Sequence, residues 1–324
     1  MCHAGPAHNR AVHARSALAG VGWRFMIQAA ALTLEINGRA ATAGELRALA
    51  SGGYGHFTAM QLRGGRTRGL QLHLDRLNAA SKEMFGTALE GSRVRDLIRH
   101  ALGARVRDAS VRVIVQQPVE QEPPWVMVTV RPPADPLPDS SLQQVAYQRS
   151  LAHLKHTGDF GQSYYGRLAE RNGFGEALLT GPDGLISEGS MTNIGFFDGT
   201  AVIWPAAAML SGITMQLVQA RLMLPQRHSP VRVADLGSFG AVFITNSHGV
   251  AAVTQVDDRR LSVDTALISM LKDCYESVPQ ARAGPNWLQV LRHEQSCGRR
   301  ELCRSHRPAG HDRPCGNPES REGR

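Results

Sequence analysis

A proline-rich run near the middle of this 324-residue sequence limits how the chain can fold. Residues 132–138 read PPADPLP. Because prolines lack an amide hydrogen and fix the backbone φ angle, this run can continue neither a strand nor a helix. A chain of this length has room for two domains. We therefore predict a small N-terminal α/β domain over residues 26–131, a linker over residues 132–140 and a larger domain over residues 141–280.

The two ends of the chain differ from this body in composition and charge. The formal net charge is +8, but residues 1–25 and 281–324 hold most of the excess arginine, so the body is nearly neutral. The C-terminal end has almost no apolar periodicity and cannot bury enough surface to offset the entropy of ordering, and the N-terminal end has no acidic residue and is rich in arginine, histidine and alanine. We predict that both are disordered, the first as an extension before a second plausible start at Met26 rather than a transit peptide. A neutral body also argues against nucleic acid as a partner.

Cysteine usage and hydropathy argue against further classes of protein. Cys274 is the one cysteine of the body, which predicts no disulfide framework and fits a reducing cytoplasm. The remaining cysteines lie in the two ends, and their spacing matches no zinc finger, so we predict no metal site. No apolar run reaches the roughly 18–20 residues needed to cross a bilayer, so we predict no membrane segment.

Lysine usage singles out one residue. The chain has three lysines and 33 arginines, so arginine meets nearly every need for a solvated positive charge. Unlike a guanidinium, a lysine amine can be deprotonated by burial or by a nearby charge and can then attack a carbonyl. Lys82 and Lys272 lie on predicted amphipathic helices, whereas Lys155 follows a predicted strand and has apolar neighbours. Lys155 is therefore the candidate nucleophile.

Two segments downstream of Lys155 add a carboxylate and an anion-binding site. Glu188 ends the predicted strand LISE, and Gly212-Ile213-Thr214 opens a predicted helix. A helix N-terminus offers free amide groups to a phosphate, and glycine lets the backbone approach it closely. A reactive lysine, a carboxylate and a phosphate-binding helix are what a protein needs to hold pyridoxal 5'-phosphate.

These segments resemble the class IV (fold-type IV) aminotransferase family, which includes branched-chain aminotransferases, D-amino-acid aminotransferases and aminodeoxychorismate lyase. WPAAAMLSGIT at 204–214 is similar to the family's T-P-x-x-x-x-I-L-x-G-I-T-R, although Met215 stands in place of the arginine. EGSMTNIGFF, which starts at Glu188, is similar to E-G-x-x-x-N-I/L-F, and LHLDRLNAAS at 72–81 is similar to H-L-x-R-L-x-x-S. The resemblance covers about residues 35–258.

The resemblance implies a two-domain α+β fold with a small α/β sandwich domain, a larger pseudo-barrel domain and the cofactor in the cleft between them. Lys155 would form the Schiff base with pyridoxal 5'-phosphate, and Glu188 would face its pyridine nitrogen. The other cofactor-binding positions that the motifs supply are Arg76, Asn193, Gly212, Ile213, Thr214 and Ser247, of which Ser247 equally fits an ordinary turn serine.

The segment GGYGHFTAM stands where the family places a Y/F-G-D-G-x-F-E/T loop, so we predict substrate contacts from Tyr54, His56 and Thr58, although His56 could equally cap the turn. We predict transfer of an amino group between an amino acid and a 2-oxo acid by a homodimer, which the resemblance implies. The alternative is 4-amino-4-deoxychorismate lyase, which releases 4-aminobenzoate and pyruvate. Thr58 favours the lyase because aminotransferases commonly have glutamate there, whereas Gln116-Gln117 lacks the lyase's Arg-Gly. A non-catalytic scaffold is a third alternative, and the intact Lys155 argues against it.

Overall fold

The computed structural model describes residues 33–120 and 122–283, which form an α+β structure with two main sheets. The predicted N-terminal extension, residues 1–25, lies outside the described residues, as does the predicted C-terminal tail from residue 284 onward. Within the described ranges, no helix is long and apolar enough to cross a membrane.

The N-terminal sheet contains five antiparallel strands. They are β1 (Thr33–Ile36), β2 (Arg39–Ala40), β3 (Gly55–Leu62), β5 (Ala109–Gln116) and β6 (Trp125–Arg131), and the short strand β4 (Arg66–Arg68) follows β3 in the chain. The strands pair in the order β2-β1-β6-β5-β3. Asn37 and Gly38 join β1 to β2 with positive φ angles of 51° and 81°, as an Asn-Gly hairpin turn requires.

Two of the three helices of this region pack on one face of the N-terminal sheet. The helices are α1 (Ala43–Ser51), α2 (Leu70–Phe85) and α3 (Gly91–Leu102). Alternation along β5 buries Val111, Val113 and Val115 in a core shared with α2 and α3. Because successive strand residues point to opposite faces, Arg112 lies on the other face of the sheet. That second face is available to line a cavity.

The second sheet has nine strands and curls into a half-barrel. They are β7 (Ser140–Ala146), β8 (Glu176–Thr180), β9 (Ile186–Gly189), β10 (Asn193–Phe197), β11 (Val202–Pro205), β12 (Gln226–Ser229), β13 (Ala241–Asn246), β14 (Gly249–Val256) and β15 (Arg259–Arg260). The order is β12-β11-β10-β13-β14-β7-β8-β9, with β15 also on β14. Because β9 at one end contacts β10 and β11 near the other end, the sheet bends round a core that includes Leu178, Phe196 and Ile244.

Three α-helices and one 3-10 helix accompany the second sheet. They are α4 (Phe160–Arg171), α5 (Ile213–Arg221), α6 (Thr265–Glu276) and the 3-10 helix Val233–Ser238. Helices α5 and α6 share a second core with the buried side chains Trp204, Phe243 and Leu271. This packing fixes the N-terminus of α5 against the end of β13, where the candidate site lies.

The proline-rich linker connects the two sheets, since residues 132–139 lie between β6 and β7. The division into two domains at this linker stays a prediction. The predicted start of the disordered tail at residue 281 is corrected, because β16 (Gln280–Arg282) pairs with β4 of the N-terminal half. Ala283 is 1% exposed and packs in the core of the N-terminal sheet. Backbone hydrogen bonds to β4 order these residues, and the sequence has no apolar pattern that would predict this strand.

Candidate active site

The predicted cofactor-binding residues come together around one cavity of about 300 Å³. One wall is the face of the N-terminal sheet opposite its helices, and the other walls come from the linker, the Lys155 segment and the second sheet. All eight residues predicted to bind the cofactor line this cavity: Arg76, Lys155, Glu188, Asn193, Gly212, Ile213, Thr214 and Ser247. The fold thus brings Arg76 and Ser247, which are 171 residues apart in sequence, to the same cavity.

Lys155 lies on a segment that extends the edge of the N-terminal sheet. Strand β3 is the last strand of that sheet, and its free edge pairs with the lysine segment through Phe57 N–H to Lys155 C=O (2.8 Å) and Thr157 N–H to Gly55 C=O (2.8 Å). The Lys155 amine lies 4.8 Å from the centre of the Phe57 ring. Burial, and then the charges of nearby arginines, lower the pKa of Lys155 to about 7. About half of the amine is therefore neutral and nucleophilic near neutral pH.

Glu188 pairs with an arginine that the sequence did not single out. One carboxylate oxygen of Glu188 accepts from Arg149 at 3.0 Å, and the other accepts from the Leu210 amide at 3.3 Å. Arg149 also donates to the carbonyl oxygens of Ala152 and Leu154, at 3.0 and 2.8 Å. Arg149 thereby ties the segment that carries Lys155 to the strand that carries Glu188. Burial raises the pKa of Glu188, and the charge of Arg149 opposes that rise.

The N-terminus of α5 opens into the cavity without a capping side chain. Its first amide groups therefore lack partners within the helix. The Asn193 side chain donates to the Leu210 carbonyl at 2.7 Å and so fixes the loop before the helix. A Cβ atom on Gly212 would lie 1.8 Å from the Asn193 side-chain oxygen, so only glycine fits there. The structure thus gives Asn193 a positioning contact behind the helix N-terminus.

Two hydroxyl groups flank the same helix N-terminus. The Thr214 hydroxyl donates to the Asn246 carbonyl at 2.7 Å, which joins α5 to the turn between β13 and β14. Ser247 follows in that turn and lines the cavity. The buried Thr245 hydroxyl also lines the cavity and has no hydrogen-bond partner among the described residues. The side chain of Thr245 adds a third hydroxyl to this side of the cavity.

Arg76 is a buried cation with unused donors. One of its terminal nitrogens donates to the Thr58 hydroxyl, and its Nε is buried without a partner in the part of the chain described. Burial lowers the pKa of Arg76 to about 10, so it stays charged at neutral pH. A buried guanidinium without a carboxylate partner is stabilised by an anion in the cavity. The uncapped helix, Arg76 and the amine of Lys155 together fit the phosphate and aldehyde of pyridoxal phosphate.

The predicted substrate residues Tyr54, His56 and Thr58 are not among the residues that line this cavity. Tyr54 is 62% exposed, and its hydroxyl donates to the Met84 carbonyl at 3.0 Å. His56 lies 2.9 Å from the Ser81 hydroxyl and burial lowers its pKa to about 4. The reason is the alternation of β3, which turns His56 and Thr58 toward α2. Thr58 reaches the site through its bond to Arg76.

The neighbouring residues of β3 and the strands beside it form a cationic wall instead. The Arg112 guanidinium lies 3.7 Å above the centre of the Phe57 ring. Burial lowers the pKa of Arg112 to about 10. The charge of Asp159 opposes this shift, and the charge of Arg131 adds to it. Thr129 lies beside them in the lining. Guanidinium groups in such a wall suit a carboxylate, and the sequence reasoning did not identify them.

Glu176 is a second buried carboxyl group in the cavity lining. It accepts hydrogen bonds from the Met191 amide, from the Thr192 hydroxyl at 3.0 Å and from the Ser190 hydroxyl at 3.5 Å. Burial raises its pKa to about 7, although these hydrogen bonds oppose the rise. Glu176 therefore holds the turn that connects Glu188 to β10. Sequence reasoning missed it, because its donors lie in another strand connection.

A family model described as amino-transferase class IV matches residues 55–256, and no curated protein sequence matches the chain. Three solved structures are similar. A hypothetical aminotransferase from Mycobacterium tuberculosis, in its PLP-bound form, is 20% identical, covers 71% of this chain and 90% of its own, and has a TM-score of 0.64. A branched-chain aminotransferase from Thermoproteus uzoniensis with norvaline is 17% identical, covers 76% of this chain and 94% of its own, and has a TM-score of 0.66. A provisionally named 4-amino-4-deoxychorismate lyase from Legionella pneumophila is 16% identical, covers 70% of this chain and 92% of its own, and has a TM-score of 0.65. At these identities the likeness is one of fold, and it confirms the predicted fold-type IV class.

Proposed function

Because this chain belongs to the class IV aminotransferase family, whose enzymes depend on pyridoxal phosphate, we propose that it transfers an amino group between an amino acid and a 2-oxo acid. The observation that carries the proposal is the amine of Lys155, which has a pKa of about 7 and lines the same cavity as Glu188 and the N-terminus of α5. Lys82 and Lys272, the other two lysines, are exposed.

Each wall of the cavity has its own role in this proposal. Bound pyridoxal phosphate supplies an electron-withdrawing ring that stabilises negative charge at the α-carbon of the substrate. Lys155 would hold the cofactor through its amine and, when that amine is free, would move the proton of the substrate's α-carbon. Glu188, fixed by Arg149, would face the ring nitrogen. Arg76 and the amides and hydroxyl groups at the start of α5 hold the phosphate.

The cationic wall indicates a substrate with a carboxylate on that side. Burial disfavours the charge of the Arg112 guanidinium more than the nearby Asp159 carboxylate favours it, so a substrate carboxylate beside Arg112 would be stabilised. We assign this wall to carboxylate recognition, which fits an amino acid or 2-oxo acid. The same observation favours the second candidate function, because 4-amino-4-deoxychorismate carries two carboxylates. In the lyase reaction the proton is removed from the ring carbon that bears the amine. The ring C–O bond then breaks, so that enolpyruvate leaves and takes up a proton to become pyruvate, and 4-aminobenzoate remains.

The test is the visible absorption spectrum of the full-length protein with pyridoxal phosphate, recorded as D- and L-amino acids are added one at a time. Loss of the visible band with one amino acid, and its return with a 2-oxo acid, is the result expected of a transaminase. If no amino acid changes the band and 4-aminobenzoate forms from aminodeoxychorismate, the protein is a lyase and the transaminase proposal is wrong. Lys155→Ala should abolish the band, whereas the exposed control Lys82→Ala should keep it. A wild-type protein that shows no band rules out both reactions and leaves the scaffold.

We also propose that the enzyme is a cytoplasmic homodimer. Leu151, Phe160 and Tyr164 flank the Lys155 segment and are 62%, 81% and 49% exposed. Apolar side chains this exposed on neighbouring elements are typical of a protein interface. Cys274 is a free thiol, as suits a reducing compartment. Sedimentation of the full-length chain as a monomer at micromolar concentration would contradict the dimer.

A further inference from the structure

A buried histidine on α2 has its proton position fixed by two neighbours. Thr58 is fully buried, and its hydroxyl accepts from Arg76 and lies 2.7 Å from Nδ1 of His73. Because arginine cannot accept a hydrogen bond, the hydroxyl proton has only His73 as an acceptor among the described residues. The Nδ1 atom of His73 is therefore unprotonated. Burial and the charges of Arg76 and Lys155 lower the pKa of His73 well below its usual value, so the ring is neutral.

A neutral imidazole that accepts at Nδ1 carries its proton on Nε2. No described residue forms a hydrogen bond with Nε2 of His73, and His73 lines the cavity. His73 is 5% exposed, so its free N–H group is directed into the cavity and not to bulk water. Arg76 lies three residues later, on the same face of α2. The two side chains therefore present donors to one side of the cavity.

The start of α2 lies against the start of α5. A Cβ atom on Gly69, the residue before α2, would come within 3.0 Å of side-chain atoms of Ile213 and Leu217. The His73 amide donates to the Gly69 carbonyl at 3.1 Å, which places His73 in the first turn of α2. His73 and the uncapped N-terminus of α5 both line the cavity. Donors from α2 and from the N-terminus of α5 are therefore both available to an anion in the cavity.

We propose that His73 is a phosphate-binding residue of the cofactor site: its Nε2–H group donates to a phosphate oxygen that Arg76 also binds, and Thr58 fixes the tautomer that makes this possible. This proposal rests on the proposed function, since it requires pyridoxal phosphate as the ligand. It adds to the site a neutral donor that the sequence motif alone does not distinguish from a core histidine.

The test compares the affinity of the cofactor-free, full-length protein for pyridoxal phosphate and for pyridoxal, which lacks the phosphate. The dissociation constant of pyridoxal divided by that of pyridoxal phosphate isolates the phosphate contribution from the bond to Lys155. We expect His73→Phe to reduce this ratio about 10- to 100-fold, the effect of losing one hydrogen bond to a charged group. His73→Gln, which keeps an N–H donor near the position of Nε2, should recover part of the loss. His56→Gln, a buried histidine outside the cavity lining, should keep the wild-type ratio.

An unchanged ratio in His73→Phe, or an equal loss of affinity for both ligands, overturns the proposal because either result indicates a packing role. If His73→Phe does not fold, the ¹⁵N NMR shifts of His73 in the wild-type protein decide. A protonated Nε2 whose shift changes with pyridoxal phosphate but not with pyridoxal supports phosphate binding, whereas a protonated Nδ1 or an equal response to both ligands overturns it. Failure of the wild-type protein to bind either ligand refutes the proposed function instead, so the two failures are distinguishable.

Discussion

Replacing Arg149 with methionine is expected to destabilise the protein, because Arg149 joins two parts of the site. Its guanidinium donates to Glu188 at 3.0 Å and to two backbone carbonyl oxygens of the Lys155 segment at 3.0 and 2.8 Å. The side chains of Arg149 and Glu188 are only 4% and 5% exposed. Removal of one partner leaves a buried charge and two buried carbonyls unpaired. We expect Arg149→Met to lower the free energy of unfolding by about 3–5 kcal/mol at pH 8.

The loss of stability should be smaller at low pH. Burial already raises the pKa of Glu188, and removal of Arg149, which opposes this shift, raises it further. A carboxyl group whose pKa is higher in the folded than in the unfolded state stabilises the fold below the unfolded pKa, and this stabilisation is lost as pH rises through the folded pKa. The Arg149→Met variant should therefore be closer to wild type at pH 5 than at pH 8.

Urea unfolding followed by circular dichroism at the two pH values measures both effects. The matched control is the double variant Arg149→Met/Glu188→Gln, which removes the unpaired carboxylate and should lose the extra pH dependence of the single variant. A loss below about 1 kcal/mol, as for a surface ion pair, would refute the reasoning. So would a loss that is the same at pH 5 and pH 8.

Three further predictions follow from the other walls of the cavity. The pKa of Glu176 is raised from 4.5 to about 7, so the free energy of unfolding of the wild-type protein should fall by about 3 kcal/mol as pH rises through that range. Urea unfolding of Glu176→Gln should lack this part of the pH dependence. If the free energy of unfolding of both proteins changes equally with pH, the prediction is wrong. Gly212→Ala places a Cβ atom 1.8 Å from the Asn193 oxygen and should weaken retention of pyridoxal phosphate at least about tenfold by displacing the helix N-terminus; unchanged retention after dialysis counts against this role. Arg112→Gln should raise the KM of a 2-oxo acid about tenfold or more, whereas Arg112→Lys, which keeps the positive charge, should raise it less. An unchanged KM in steady-state kinetics of Arg112→Gln argues against carboxylate recognition at that wall.

The residues predicted to bind the cofactor could be named from the sequence because they belong to contiguous motifs. Lys155 was identified by the scarcity of lysine, and Gly212-Ile213-Thr214 by the physical needs of a phosphate at a helix N-terminus. Each of these signals is local in sequence, so no tertiary structure was needed to detect it. The structure then brings these motifs to one cavity, which the sequence implied only through the family resemblance.

The supporting residues were not predictable, because their role depends on partners that are distant in sequence. Arg149 is one of 33 arginines, and its residue type gives no sign that it pairs with Glu188, 39 positions away. Burial of a charged side chain is a property of the assembled fold. The same limit applies to β16, whose ordering comes from backbone bonds to β4 and not from an apolar pattern.

In strand β3 the motif can be recognised from the sequence, but the sequence does not show which of its side chains face the site. The motif predicts substrate contacts from Tyr54, His56 and Thr58, and the structure shows that Gly55–Leu62 is a strand. In a strand, alternate residues face opposite sides, so Phe57 lines the cavity while His56 and Thr58 face α2. Period two was readable from the sequence, but the choice of face was not, because it depends on which side α2 covers. Thr58 nevertheless contributes to the site from the far side, since it orients Arg76 through its hydroxyl.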